Sequence, residues 1–368
     1  MPVIMGGFHA TLAPEEVSRY SEAIVLGEAE GIWPEVVDDL KHGTLKKRYK
    51  AESPSSLGAA SYDRRLFQGK SYLPLRLIEM GRGCRFPCEF CAIQTFFERT
   101  HRARPVDQIL DELRELKKTT KLFFFVDDNF ATDLEGTKAF LRELAPIGIR
   151  WVTQMSIQAA RDEEFLDLLV KSGCKGALIG FESMVEANLR DMNKAFNAQQ
   201  GGFGPALANL RRHGLRVYGT FVFGYDHDTE ASFLDAVAFA KEHRFYITAF
   251  NHLTPFPGTP LYKRLQAEGR LRFEAWWLDE GYRYNDVPFT PKGLSPEDIT
   301  RLCVEARRSF YSWSSIMRRG FDEVNRADGV MFRNFFPINF LHRRDVDQRN
   351  GYPLGDETWI GTLLEASR

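Results

Sequence analysis

Between positions 75 and 253, short apolar runs alternate with amphipathic stretches. The runs at 75–80, 122–126, 150–157, 176–180, 215–223 and 245–253 are strand-length and rich in β-branched and aromatic residues. The intervening segments 105–118, 133–145, 161–172, 184–193 with 203–213, and 229–242 repeat apolar residues every three or four positions, which predicts helices with one buried face. In 161–172, Phe165, Leu168 and Leu169 follow an acidic first turn, and Gly173 ends the pattern. Strands alternating with helices predict βα units and a parallel sheet, either wound open or curved into a barrel. Both architectures put their sites at the carboxyl ends of the strands.

The two ends of the chain read differently. An apolar run at 2–5 enters the glycine turn Gly6-Gly7, with a helix pattern from Pro14. A second run at 23–26 precedes Gly27-Glu28 and a helix pattern at 33–40. This is the rhythm of a doubly wound sheet. A Ser/Pro/Gly/Ala stretch at 53–61 reads as a linker. Beyond 264 the βα rhythm stops, and the remainder is aromatic-rich and helical in pattern, with turns at 288–296 and 353–355. The expected domains are therefore 1–52, a linker at 53–74, the βα region at 75–265 and a helical region at 266–368. Segments 309–319 and 332–344 mix aromatics with arginines. They suit a cap over the site or a tail packed on the barrel, and the tail asks only for amphipathic helices.

Composition narrows the function classes. With 43% hydrophobic and 27% charged residues the chain can bury a sizeable core. A net charge of −1 gives no global footprint for nucleic acid. The basic runs Lys46-Lys47-Arg48 and His342-Arg343-Arg344 read as solvated faces. No apolar run reaches the length of a membrane span and no secretory signal opens the chain, so a reduced, cytoplasmic protein is expected. Five cysteines make an odd count that argues against a disulfide framework. Cys174 and Cys303 stand alone and are expected in the core.

The other three cysteines carry the chemistry. Gly81-Arg82-Gly83-Cys84-Arg85-Phe86-Pro87-Cys88-Glu89-Phe90-Cys91 directly follows the first strand of the βα region. The spacing is C-x3-C-x2-C, on a loop that Gly81 and Gly83 make compliant and Pro87 turns. Cysteine thiolates hold iron–sulfur clusters, and three of them on a four-iron cubane leave one iron with an open position. A chelating substrate can bind there and receive an electron. Zinc is the competing occupant. Structural zinc takes four tetrahedral ligands, for which His101 is the fourth candidate. Inert buried thiols are a third reading, one that a glycine-flanked loop at a strand end serves poorly.

With Phe90 ahead of its last cysteine, this loop resembles the signature of the radical S-adenosylmethionine superfamily, a likeness that extends over about 75–265. The resemblance implies a partial (β/α)6 barrel and a [4Fe-4S] cluster on Cys84, Cys88 and Cys91. It also implies reductive cleavage of S-adenosylmethionine to a 5′-deoxyadenosyl radical, fed by an external electron donor of flavodoxin or ferredoxin type. Positions for the cosubstrate follow from the same resemblance. Asp127 and Asp128 stand where the family meets the methionine amino group, although the usual form there is Gly-Gly-Glu. Gln154 and Ser156 follow the third strand. Glu182 matches the group that grips the ribose hydroxyls, since a carboxylate accepts two hydrogen bonds from a diol. Lys194 matches the cation facing the methionine carboxylate. The turn at 254–262, with Pro255, resembles a P-x-P-G-T-x-L-Y run whose backbone faces the adenine. No catalytic residue beyond these is assigned.

Gly6-Gly7-Phe8-His9-Ala10-Thr11 and Gly27-Glu28-Ala29-Glu30 resemble the end of the Rossmann-like cobalamin-binding domain found ahead of this barrel in one subgroup. The likeness implies that Gly6 and Gly7 let the backbone approach the cofactor's nucleotide tail. Earlier strands and a D-x-H-x-x-G motif have no match, so cobalamin is expected only in a longer form. The expected fold is α/β, a partial barrel after a remnant of the cobalamin domain and before a mainly helical region. The expected activity is methyl transfer or oxidative cyclisation on a small, apolar metabolite. A tRNA methylthiotransferase is the rival enzyme, without the basic appendage it would want. A non-catalytic electron carrier or redox sensor is the rival from another class, and it has no use for Glu182, Lys194 and the 254–262 turn together.

Overall fold

In the computed structural model, which describes residues 2–354 except 55, 60–62, 68, 71, 73–74 and 198–200, the chain forms two parallel sheets joined by a small antiparallel ribbon. Part of the expected 53–74 linker, Gly355 of the expected last turn and everything after it lie outside the described residues. The first sheet holds β1 (Ile4–Met5), β2 (Ala23–Leu26) and β3 (Arg48–Lys50), all parallel, with β2 central. Ala23, Val25, Val36 and Tyr49 form its core. The third strand was not anticipated: in Arg48-Tyr49-Lys50 only the tyrosine is buried, too short a pattern to read from sequence.

The second sheet is built from β4 (Arg76–Ile78), β7 (Phe123–Phe125), β8 (Trp151–Gln154), β9 (Cys174–Glu182), β10 (Arg216–Phe223) and β11 (Ile247–His252). Their spatial order follows their chain order, every pair is parallel, and β4 and β11 are the two edges. This is the open, six-unit βα arrangement of a partial barrel. Between β4 and β7 the chain makes an excursion, closed at its base by the antiparallel pair β5 (Gly81–Arg82) and β6 (Arg102–Ala103). Each connection between the later strands is helical, at Leu134–Leu144, Glu163–Lys171, Glu186–Asp191 with Gly204–Arg212, and Glu230–Glu242.

Burial alternates along the strands, as period-two side chains require. Ile78, Phe123, Phe125, Trp151, Ile179, Phe181, Phe221 and Phe250 are buried under the helices. The Phe181, Phe221 and Phe250 rings stack across three strands, with centroids 5.6 and 5.5 Å apart. Residues of the opposite face are partly exposed. Register lines them up as Leu77–Phe124–Val152, Gln154–Leu178–Tyr218–Ile247 and Gly180–Thr220–Ala249. That inner face is mostly apolar and open, unlike the filled interior of a closed barrel.

The C-terminal helices Pro296–Phe310, Trp313–Gly320 and Gly329–Gln348 pack on the outer face at β11. The Tyr311 hydroxyl donates to the Thr248 carbonyl at 2.8 Å and accepts its N–H at 3.2 Å. Buried Arg319 donates to the carbonyls of Phe245 and Tyr246 and to Asn339, and lies 3.8 Å over the Phe310 ring. The aromatic and arginine segments are therefore packing, not a cap over the inner face. In the basic runs, Lys46 pairs with Glu35, Arg48 with Glu15, and Arg343 covers Trp313. Cys174 and Cys303 are buried. Among the described residues no helix is long and apolar enough to cross a membrane.

Candidate active site

The cysteine loop owes its path to close packing. A Cβ on Gly81 would meet the Arg102 carbonyl at 2.6 Å, and one on Gly83, whose φ is +88°, would meet the Thr100 carbonyl at 2.1 Å. Only glycine lets the outgoing and returning strands lie so near each other. The loop is pinned by two carboxylates from the end of β7. The Gly81 N–H donates to Asp127 at 2.5 Å, the Met80 N–H donates to Asp127 at 3.3 Å, and the Gly83 N–H donates to Asp128 at 2.7 Å. Burial pushes the Asp127 carboxyl up to about 7, against the pull of those N–H groups.

From Gly83 the chain places Cys84, Cys88 and Cys91 on one cavity of about 200 Å³ at the carboxyl ends of the strands. Burial pushes the Cys88 thiol up to about 12, with the Lys194 ammonium acting the other way. Burial also raises Cys91, while the N–H groups of Gln94 and Ile93, in the first turn of the helix Ala92–Phe96, act to lower it. Burial thus disfavours bare thiolates at Cys88 and Cys91, a cost that the positive charge of a thiolate-bound metal centre would offset. Among the described residues, no three His, Cys, Asp or Glu side chains converge where a single metal ion would sit, and His101 is not on the cavity wall.

The same wall carries Phe90, Asp128, Gln154, Ser156, Glu182 and Lys194, six of the positions proposed from sequence. Glu182 ends β9 with φ +65°, where the β9–β10 register shifts. Its carboxylate pairs with the Lys194 ammonium at 2.6 Å, both nearly buried. A Cβ on Gly180 would meet that carboxylate at 2.2 Å, so the glycine makes room for the pair. The Gln154 amide donates to the Asp127 carbonyl at 2.5 Å, and the Ser156 N–H donates to Asn129.

Four expected cofactor contacts lie elsewhere. Asp127 turns beneath the loop to hold its backbone, because neighbouring residues at a strand end face opposite sides, and only Asp128 reaches the cavity. The Pro255 carbonyl accepts from the Trp276 indole at 3.0 Å, away from the cavity. The turn that contains Pro255 instead grips the cysteine loop from behind. The Leu261 N–H donates to the Glu89 carbonyl at 3.0 Å, and Arg264 pairs with the Glu89 carboxylate at 2.7 Å. Gly6 and Gly7 enter the helix Gly7–Leu12, whose Phe8 stacks on Phe96 at 4.2 Å. Polar and aromatic wall residues not assigned from sequence include Asn129, Thr220, Phe86 and Phe196. Thr220 was legible as an inward position of its strand. Phe196 reaches the cavity only by stacking on Phe86 at 4.4 Å.

Comparison with known proteins decides the family. The radical SAM superfamily model matches residues 78–240. The bacteriochlorophyllide d C-12(1)-methyltransferase of Chlorobaculum tepidum is 32% identical over 350 residues, which span 93% of this chain and 75% of that protein. The chain belongs to the radical SAM superfamily. The anaerobic magnesium-protoporphyrin IX monomethyl ester cyclase of Cereibacter sphaeroides is 23% identical over 81% of this chain and 52% of its own length. In fold, the chain is similar to the radical SAM methyltransferase TsrM of Kitasatospora setae, solved with cobalamin and a [4Fe-4S] cluster. The TM-score is 0.62 at 17% identity, covering 93% of this chain and 81% of that one. This radical SAM chain is thus an enzyme that uses a [4Fe-4S] cluster and S-adenosylmethionine. Its relatives named here are a methyltransferase and a cyclase, and radical SAM enzymes generally use small-molecule substrates and external reductants.

Proposed function

We propose that Cys84, Cys88 and Cys91 hold the cluster, leaving one iron open, and that the rest of the cavity receives S-adenosylmethionine. The observation that carries this reading is the single cavity shared by three thiols and the Glu182–Lys194 pair. A cluster on three thiolates supplies the electron that splits the sulfonium cosubstrate. The protein's own part is to bind and orient. Lys194 presents an ammonium to the methionine carboxylate, and Glu182 presents a carboxylate to the ribose diol, so the two exchange each other for the ends of one ligand. Asp128 faces the methionine ammonium. Gln154 and Ser156 complete the polar wall, and Phe90 and Phe196 supply apolar surface beside the thiols.

The substrate we propose is a large, flat, apolar ring system of the tetrapyrrole class, methylated at an unactivated carbon. Two observations support it: the two relatives named above act on tetrapyrroles, and the inner sheet face presents Leu77, Phe124 and Val152 in continuous register, with Leu178 opposite Gln154 on the cavity wall. Oxidative ring closure is the second reading, favoured by the cyclase relative. We place the enzyme in the cytoplasm, reduced by a flavodoxin- or ferredoxin-type donor. For cobalamin, the turns at Gly6–Gly7 and Gly27 on a three-stranded sheet are too small a cradle, and residues 1–368 alone are proposed not to retain it. Because the radical spends one S-adenosylmethionine on removing the substrate hydrogen and leaves its methyl group on methionine, the methyl group gained needs a separate donor. The test is to incubate the reconstituted, reduced protein with excess S-adenosylmethionine, added methylcobalamin and a magnesium chlorin or protoporphyrin ester. The expected product by mass spectrometry is the macrocycle gaining one methylene unit. A product lighter by hydrogen would favour cyclisation, and no change in either would remove this substrate class.

A further inference from the structure

The Gly27-Glu28-Ala29-Glu30 turn of the N-terminal sheet does not face open space. It closes on the base of the cysteine excursion. Arg82 and Arg102 are directly paired across the β5–β6 ribbon, one on the way into the excursion and one on the way out. Glu28 bridges them: one carboxylate oxygen accepts from Arg82 at 2.8 Å and the other accepts from Arg102. Glu30 also pairs with Arg82, at 2.6 Å, and Glu79 pairs with it at 2.7 Å. These charges are largely shielded, with the Glu28 side chain only 10% exposed, so they are screened less than surface pairs. A second link runs beside the first. Phe8 stacks on Phe96 and meets Phe97 edge-on, and the Gly27 N–H donates to Thr11 Oγ1 at 2.9 Å. The helix carrying Phe8 and the turn carrying Glu28 therefore hold the excursion from two sides.

Resting on the cluster ligation proposed above, we infer that Glu28 is a positioning residue for the redox centre. Through Arg82 and Arg102 it fixes the base of the loop two residues ahead of Cys84, and it adds a negative charge to the base of the loop that carries the cysteines. The potential of an iron–sulfur cluster follows the net charge around it, because reduction adds an electron. Glu28 thereby ties the N-terminal sheet to the reducibility of the cluster. An ion-pair bridge that only glued two parts together would affect stability and nothing else.

The two roles separate by sign. The full chain is reconstituted anaerobically as wild type, Glu28→Gln, Arg82→Gln and Glu28→Asp, and each is assayed for iron, thermal midpoint and cluster midpoint potential by dye-mediated titration. Glu30→Gln serves as the milder variant if Glu28→Gln does not fold. The expected result is near wild-type iron in all, a potential shifted upward by Glu28→Gln or Glu30→Gln, shifted downward by Arg82→Gln, and close to wild type in Glu28→Asp. Thermal midpoints fall in both neutralising variants. Lower thermal midpoints with potentials unmoved, or moved in the same direction, would overturn the inference and leave a structural bridge. A wild-type protein that binds no iron would instead overturn the ligation reading, and this inference with it.

Discussion

The mouth of the sheet and its outer shell use the same residue types to opposite ends. Around the cysteine loop, arginines and lysines meet carboxylates: Arg82 with three glutamates, Arg264 with Glu89, Lys194 with Glu182. Under the C-terminal helices, buried Arg319 meets carbonyls, Asn339 and a phenylalanine face. Of these pairs, Lys194–Glu182 lines the cavity, where a ligand with matched ends can replace either partner. Backbone carbonyls around a guanidinium are not exchangeable, because they belong to the fold itself. Burial pulls Arg319 down to about 10 with no carboxylate against it, whereas Lys194 is raised by Glu182 despite deep burial. One region is poised for a ligand; the other locks a shell.

Cysteine substitution gives the largest contrast. Cys84→Ala, Cys88→Ala or Cys91→Ala is expected to abolish stable cluster binding, while Cys174→Ala and Cys303→Ala leave iron content intact. Iron and sulfide assays with the visible spectrum check this, and iron loss in Cys174→Ala would blur the distinction. In the shell, Arg319→Met is expected to cost about 3 kcal/mol, because several buried acceptors lose their donor. Denaturant unfolding measures that cost, and cosubstrate affinity should stay unchanged. Glu182→Ala is the mirror image. It is expected to weaken S-adenosylmethionine binding by roughly 1.5–3 kcal/mol, about tenfold to a hundredfold, with the cluster retained. Unchanged affinity in calorimetry would take Glu182 out of the site.

The last prediction concerns Asp127 and reads a slope against pH instead of a loss. Its carboxyl rises from 3.8 in the unfolded chain to about 7 in the fold, so the native state holds the proton more tightly. The stability this lends is full below about pH 4 and fades as the pH climbs through about 7. Asp127→Asn should flatten that stretch of the curve of thermal midpoint against pH, and an identical slope in both proteins would count against it.

What the sequence made legible follows from the length of each pattern. The six strands of the second sheet lie inside apolar runs, and the helices between them repeat their periodicity often enough to be read, so that both fall within a few residues of the expected bounds. The ribbon at Gly81–Arg82 and Arg102–Ala103 has two residues a side, too few for any period. Three cysteines within eight positions read as a ligand set because their chemistry is local. Asp127 and Asp128 were taken together, and only register, which no local pattern fixes, decides that one braces the loop and the other meets the cavity. Arg82, an arginine between two obligatory glycines, is a usable local signal. Of its partners, Glu30 and Glu28 are 52 and 54 residues away, and no spacing rule finds such pairs.

The most direct measurement is the formation of 5′-deoxyadenosine from S-adenosylmethionine by the anaerobically reconstituted protein under dithionite, with Cys88→Ala in parallel. The account predicts turnover that requires the reductant, is lost in Cys88→Ala, and is reduced in Glu182→Ala at limiting S-adenosylmethionine. A full complement of iron with no 5′-deoxyadenosine, or equal product from Cys88→Ala, would contradict it.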